Sequence, residues 1–166
     1  MTTGLVVRPA VATDALDLGR LIASVYLEEG WSPESARPRL GDGAWVMAQG
    51  HALVAVAEGG LVGAVLLVLP GQPGRQVAHA DEAEVRLLAV SPAARGLGAG
   101  EALMRHLLEA AEAAGFSRIV LSTQPGMLAA QRLYERLGFE RRAARDWDRP
   151  SGSARMLVYA RALASV

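Results

Sequence analysis

Three glycines spaced two apart, Gly96, Gly98 and Gly100, follow Arg95 in "SPAARGLGAGEALM" and lead directly into a helical pattern. Glycine removes the side chain where backbone must come close to a bound group. A helix start just beyond it offers unpaired N–H groups and a partial positive charge. Together they make an anion site, usually for phosphate. A P-loop would close with Gly-Lys-Ser/Thr, and the chain has no lysine at all. A dinucleotide turn needs Gly-x-Gly-x-x-Gly straight after a strand; here the third glycine position is Glu101, and the loop starts well past the strand end at Val90. Ordinary turn chemistry would need fewer glycines. A nucleotide-binding protein remains an option only if the loop prefers ATP or NAD to other phosphates.

The elements that must position this loop are legible around it. "EVRLLAV" (84–90) predicts a strand entering it, and Leu103, Met104, Leu107, Leu108 and Ala111 make one apolar stripe on the helix leaving it. Gly115 ends that helix, and "RIVLST" (118–123) predicts the next strand, joined to the previous one by a parallel crossover. Met127, Ala130, Tyr134 and Leu137 share a helical face, closed by Gly138. Upstream, "GLVVRPA" (4–10) is a strand, Thr13 or Asp14 caps a helix carrying Leu18, Ile22 and Val25, and 27–43 is loop with room for one short helix. "HALVAVAEGGLVGAVLLVLP" (51–70) is a hairpin, "GQPGRQVAHADEA" a loop, and "FERRAARDW" with "ARMLVYARAL" a final antiparallel pair around "DRPSG". There is no repeat or linker, so residues 1–166 read as a single α/β domain.

Composition narrows the chemistry. With 51% hydrophobic and 20% charged residues and a formal net charge of zero, the chain is a globular protein with no general attraction to nucleic acid or an anionic membrane. Cysteine is absent, which excludes disulfides, thiolate metal sites and a thiol nucleophile. With every basic residue an arginine, a lysine Schiff base is excluded too. "MTTGLVVRPAVATDA" has no signal-peptide core and "LVGAVLLVLP" is too short to cross a bilayer, so a cytoplasmic location is expected.

"RGLGAG" fits Arg-x-x-Gly-x-Gly, and "LAVSPAARGLGAGEALM", "AEVRLLAV" and "LYERLGF" (133–139) together resemble, in order, motifs of the GNAT superfamily of N-acetyltransferases. The resemblance runs along the whole chain. It implies an acyl-CoA N-acyltransferase fold, with a mixed central sheet splayed between the fourth and fifth strands and flanked by about four helices. It implies acetyl-CoA as acyl donor, an amine as acceptor, no metal, and direct transfer in a ternary complex. It is compatible with a homodimer. Arg95, Gly96, Leu97, Gly98, Ala99, Gly100 and Glu101 would surround the pyrophosphate. Leu88, Ala89 and Val90 would pair with the pantetheine arm, with Ala130 beside it and a Leu88-region N–H polarising the thioester carbonyl. Tyr134 is implied as proton donor to the leaving thiolate, although it also fits as a core aromatic. Glu84 is implied as the base that takes the acceptor's proton, with His79, Asp81 and Glu82 as neighbours able to act through water. Tyr26, Glu28, Glu29 and Trp31 would line the acceptor side. One departure stands out: where many members carry Asn, seven residues before the tyrosine, this chain has Met127. A non-catalytic acyl-CoA-binding module is the alternative function, since it would need the loop but no acid or base.

Overall fold

The computed structural model describes residues 4–150, 152 and 154–164. β1 (Val6–Pro9), β2 (His51–Ala57), β3 (Gly60–Val68) and β4 (Ala83–Val90) form an antiparallel run; β4 then pairs in parallel with β5 (Arg118–Thr123). β8 (Arg155–Ala162) pairs antiparallel with β5, and the short β6 (Glu140–Arg141) and β7 (Trp147–Asp148) pair with β8. Five helices flank this sheet among the described residues: α1 (Ala15–Ala23), α2 (Arg37–Leu40), α3 (Gly43–Ala48), α4 (Ala99–Ala113) and α5 (Leu128–Arg136).

The two faces of the sheet explain the apolar patterning. Val65, Leu67, Ala83 and Val85 point toward α4 and α5, where Leu103, Met104, Leu107 and Leu133 are buried. Val54, Ala64, Leu66 and Val68 point the other way, onto Leu18, Ile22, Leu40 and Val46 of α1 to α3. Alternation along the strands sends successive side chains into opposite layers, as the pleat requires. Gly43 lets α3 approach α1: a Cβ there would overlap the Ala15 carbonyl.

Several local expectations change. Neither Thr13 nor Asp14 caps α1 through its side chain; Asp14 instead accepts the Val11 N–H at 2.8 Å and pairs with Arg8 at 2.7 Å. After Ala23 the α1 helix continues as a single π-helical stretch, Ser24–Glu28, which turns Tyr26 toward β4. Residues Gly43–Ala48 are helical, capped by the Asp42 carboxylate accepting the Trp45 N–H at 3.1 Å. The stretch "FERRAARDW" is two short strands separated by a 3-10 turn at Ala143–Arg145, not one strand. Of the turn "DRPSG", Ser151 lies outside the described residues.

Two irregularities open the sheet where the glycine loop begins. β4 and β5 pair only over Ala83–Val85 against Ile119–Leu121, and beyond that point the strands diverge. On the other side, Ala64 pairs with Ala89 and Leu66 with Arg86, so β4 holds one extra residue opposite β3. That bulge contains Leu87, at φ 54° the one non-glycine positive φ among the described residues. Bulges bend a strand and redirect side chains, and they concentrate near functional sites. Holding a leucine in the left-handed region costs roughly 1–2 kcal/mol, so surrounding contacts must impose it.

Candidate active site

A cleft of about 900 Å³ follows the divergence of β4 and β5, within the size range of small-molecule sites. At one end lies the glycine loop. The N–H groups of Gly96, Gly98, Ala99, Gly100 and Glu101 have no hydrogen-bond acceptor among the described residues; the first helical bond of α4 is Ala102 N–H to the Gly98 carbonyl. Gly96 and Gly98 sit at φ 88° and 80°, a conformation that glycine alone adopts without strain, and nothing lies within 4 Å of where their Cβ atoms would be. The loop therefore presents consecutive unpaired donors at the start of a 15-residue helix, with open space in front of them. Donors so arranged suit a pyrophosphate.

The residues expected to hold the acyl donor line this cleft, with two exceptions. Ala89 is buried in the opposite layer, and Leu97 is 47% exposed and faces away. Arg95 lines the loop end but is ion-paired with Glu29 at 2.6 Å. Glu29 therefore belongs to the loop end of the cleft, through Arg95. Glu28 does not line the cleft; it lies near the Ser24 hydroxyl. Met127 does, and its sulfur accepts the Thr123 hydroxyl at 3.4 Å. Thr123 and Met127 thus satisfy each other where the usual Asn would offer an amide.

Tyr134 stands in the middle. Its ring is buried against Phe139 and Tyr159, with centroids 5.8 and 6.4 Å away, yet its hydroxyl donates to no described group and the residue lines the cleft. Burial raises its pKa, helped by nearby Tyr26, so the phenol stays protonated at any physiological pH. It is a core aromatic with a free donor at its tip, so the two readings of this residue are compatible.

Glu84 is not in the cleft. It is fully buried, and Oε1 accepts the N–H groups of Gln76, Val77 and Ala78 at 2.9, 3.1 and 3.1 Å, while Oε2 accepts Val77 again at 3.3 Å. The strand alternation that sends Val85 into the α4 layer turns Glu84 under the 71–82 loop. Its Oε1 is taken up by backbone N–H groups and neither oxygen lines the cleft, an arrangement that suits a loop anchor better than the proton acceptor expected of it. The neighbours named with it are elsewhere too. Glu82 is buried and gripped by Arg145 at 2.9 Å and by the His79 N–H at 2.8 Å. Burial alone would raise its pKa, but Arg145 and the His79 N–H outweigh it, and the net shift is downward. His79 and Asp81 do not line the cleft.

Tyr26, Trp31, Gln76, Arg86, Gln124 and Arg149 also line the cleft. The Tyr26 hydroxyl donates to the Leu88 carbonyl at 2.9 Å, fixing the bulged strand from the α1 side. Burial raises the Tyr26 pKa to about 12, against the opposing pull of Arg86 and Arg149. Gln124 and Arg149 both donate to the Trp31 carbonyl, at 2.6 and 3.3 Å, which holds that ring over Gly126. Sequence reasoning found Tyr26 and Trp31 but missed Gln76, Arg86, Gln124 and Arg149. For Arg86 a signal existed: an arginine inside the apolar run "VRLLAV" is costly to bury without a purpose. Among the described residues no cluster of His, Asp and Glu could hold a metal ion, and no helix is long and apolar enough to cross a membrane.

The fold is thus a mixed sheet splayed between β4 and β5, with a turn of unpaired N–H groups at the splay. The Acetyltransferase (GNAT) family matches residues 18–139, and the chain belongs to that family. It is 38% identical over 95 residues to the N-acetylaspartate synthetase of Rattus norvegicus, a match covering 56% of this chain and 29% of that protein. The chain thus spans less than a third of that relative's length. Among solved structures, the acetyltransferase yncA from Salmonella typhimurium, determined with its cofactor acetyl-CoA, superposes with a TM-score of 0.75 at 20% identity, covering 98% of this chain and 96% of that one. A GCN5-related N-acetyltransferase from Kribbella flavida gives 0.74 at 23% identity, covering 96% and 98%. These structural likenesses establish the fold.

Proposed function

We propose that this domain is an acetyl-CoA-dependent N-acetyltransferase that passes the acetyl group directly to a primary amine. The observation that carries the reading is what one cleft brings together: five unpaired loop N–H groups, the β4 edge left open beyond Val85, the free Tyr134 hydroxyl and a set of polar side chains. Acetyl-CoA supplies an activated acetyl group as a thioester. The loop donors bind its pyrophosphate, and the exposed edge of β4 orders its arm. A backbone N–H near Leu88 polarises the thioester oxygen, where a preorganised donor is worth about 3 kcal/mol. Tyr134 gives its proton to the departing sulfur. The balance is simple: the N–C bond forms, the C–S bond breaks, the sulfur gains one proton and the nitrogen loses one. Tyr134 is then reprotonated from solvent.

The carboxylates lining the cleft, Glu29 and Glu101, sit at the loop end, and Glu29 is held by Arg95. The acceptor's proton therefore leaves to water, and the reactive species is the amine already neutral. Glu84's removal from the cleft also favours a second reading, a non-catalytic acyl-CoA-binding module. Measuring CoA release from acetyl-CoA across an amine panel, beside calorimetric binding of acetyl-CoA, separates the two. Binding with amine-dependent release supports the transferase. Binding with no release on any amine supports the module, and stabilisation by ATP or NAD instead of CoA overturns both.

A further inference from the structure

Two guanidinium groups that line the cleft have few partners among the described residues. Arg86 projects from the middle of β4, and Arg149 follows β7 sixty-three positions later; both are half-buried. Each can donate five N–H bonds. Among the described residues Arg86 uses one, Nη1 to the Gly74 carbonyl at 2.5 Å, and Arg149 uses one side-chain donor, Nη1 to the Trp31 carbonyl at 3.3 Å. Neither is ion-paired there, although the chain pairs many of its arginines, including Arg145, 18% exposed, on buried Glu82. Glu84 attracts Arg86 and offsets part of its charge, but makes no direct ion pair with it among the described residues; its Oε1 holds the 76–78 backbone. The positive charge of Arg149 in turn opposes that of Arg86 within the cleft that both line.

Half-burying two like charges in one cleft is unfavourable; Glu84 offsets part of the Arg86 charge, and an anion within the cleft would pair with both. A planar guanidinium matches a carboxylate with two parallel bonds, and Gln76 and Gln124 add neutral polar groups beside the pair. We propose that the amine acceptor carries a carboxylate, as an amino acid does, and that Arg86 and Arg149 hold it. This inference rests on the transferase reading above and names its substrate class. A carboxylate held by these arginines would keep the acceptor in the cleft that Leu88 and Tyr134 also line. Acetylation then balances as before, with amide and free thiol as products and the amine's proton passed to water.

The test uses matched acceptors, L-aspartate and L-alanine against L-alaninamide and ethylamine, in a CoA-release assay with the whole chain. The expected ratio of kcat/KM, carboxylated over uncarboxylated, is at least 100. Charge-assisted bonds of this kind change binding by about 10- to 100-fold each, so Arg149→Gln and Arg86→Gln should collapse the ratio toward one, with the loss in KM. Arg149 lies outside the regular strands, so its variant keeps the test informative if the Arg86 variant misfolds. Arg20→Gln, on the exposed side of α1, should leave the ratio unchanged. Equal or faster turnover of alaninamide and ethylamine overturns the proposal while the transferase reading stands. If no amine is acetylated, that reading fails, and calorimetry of L-aspartate and L-alanine on the CoA-loaded protein decides the carboxylate site separately. Binding lost in Arg149→Gln upholds it, and absence of binding refutes it.

Discussion

Replacing Glu84 with glutamine tests the largest change that the structure makes to the expected site. The carboxylate holds three successive backbone N–H groups through Oε1, at 2.9 to 3.1 Å, in a fully buried position. Glutamine keeps one acceptor oxygen but makes it neutral, and places an NH₂ donor where Oε2 faced the Val77 N–H at 3.3 Å. Hydrogen bonds to a charged group contribute about 1.5–3 kcal/mol, against roughly 0.5–1.5 for neutral ones, a difference of about 1 kcal/mol per bond. Over the three Oε1 bonds the loss is about 3 kcal/mol. For a domain of this size each kcal/mol lowers Tm by about 2–4 °C, so a fall of roughly 6–12 °C is expected. The assay is thermal unfolding followed by circular dichroism, paired with kcat/KM against pH on one acceptor below the variant's Tm. The profile should keep its wild-type shape, since no proton passes through Glu84. A Tm unchanged within about 1 °C, together with an activity onset displaced to higher pH, would refute the anchoring role. Glu84 would then be the base after all.

Tyr134→Phe keeps the ring contacts with Phe139 and Tyr159 and deletes the free hydroxyl, so acetyl-CoA affinity should hold while kcat falls by about 10²- to 10⁴-fold. Turnover within a factor of two of wild type would leave Tyr134 as packing alone. Gly98→Glu puts a Cβ at φ 80° and a like charge in front of the loop donors, and should abolish stabilisation by CoA while the fold survives. Undiminished CoA binding there would remove the loop from the site. Stability should decline at both pH extremes, and for opposite reasons. Asp14, held down mainly by Arg8, and Glu82, net lowered despite its burial, contribute stability that is complete above their usual values of 3.8 and 4.5 and is lost as pH falls through the lowered folded values. Tyr26, raised by burial to about 12, contributes stability that is complete below pH 10 and is lost between there and 12. Urea denaturation midpoints across pH 3–12 check both limbs, and a flat profile over either window would contradict the corresponding group.

Much of this protein was readable in one dimension because the interactions concerned are local. The β4–loop–α4 segment needs only a strand pattern, glycines at positive φ and an apolar stripe of period 3.6, all within thirty residues. The strand-helix alternation then limits the topology to a mixed sheet with one parallel crossover, which is what β4, α4 and β5 form. The absence of lysine and cysteine alone removes whole classes of chemistry. The helix at Gly43–Ala48 was missed because its apolar residues sit in a glycine-rich stretch whose helicity depends on docking against α1.

Only the tertiary structure decided what the charged side chains do. Glu84 reads as a strand-end carboxylate, but the 76–78 backbone turns three N–H groups onto it, and a loop's path is not encoded in any periodicity. The bulge at Leu87, which opens β4 where the acyl donor would lie, arises from mismatched pairing with β3 and leaves no mark in "VRLLAV". Arg86 and Arg149 line one cleft because β5 pairs with β4 on one side and with β8 on the other, and β8 carries β7, just before Arg149. Sequence sets which groups exist and which local elements they ride on. Burial and charge balance depend on neighbours far along the chain, and those neighbours are fixed only when the sheet closes its order.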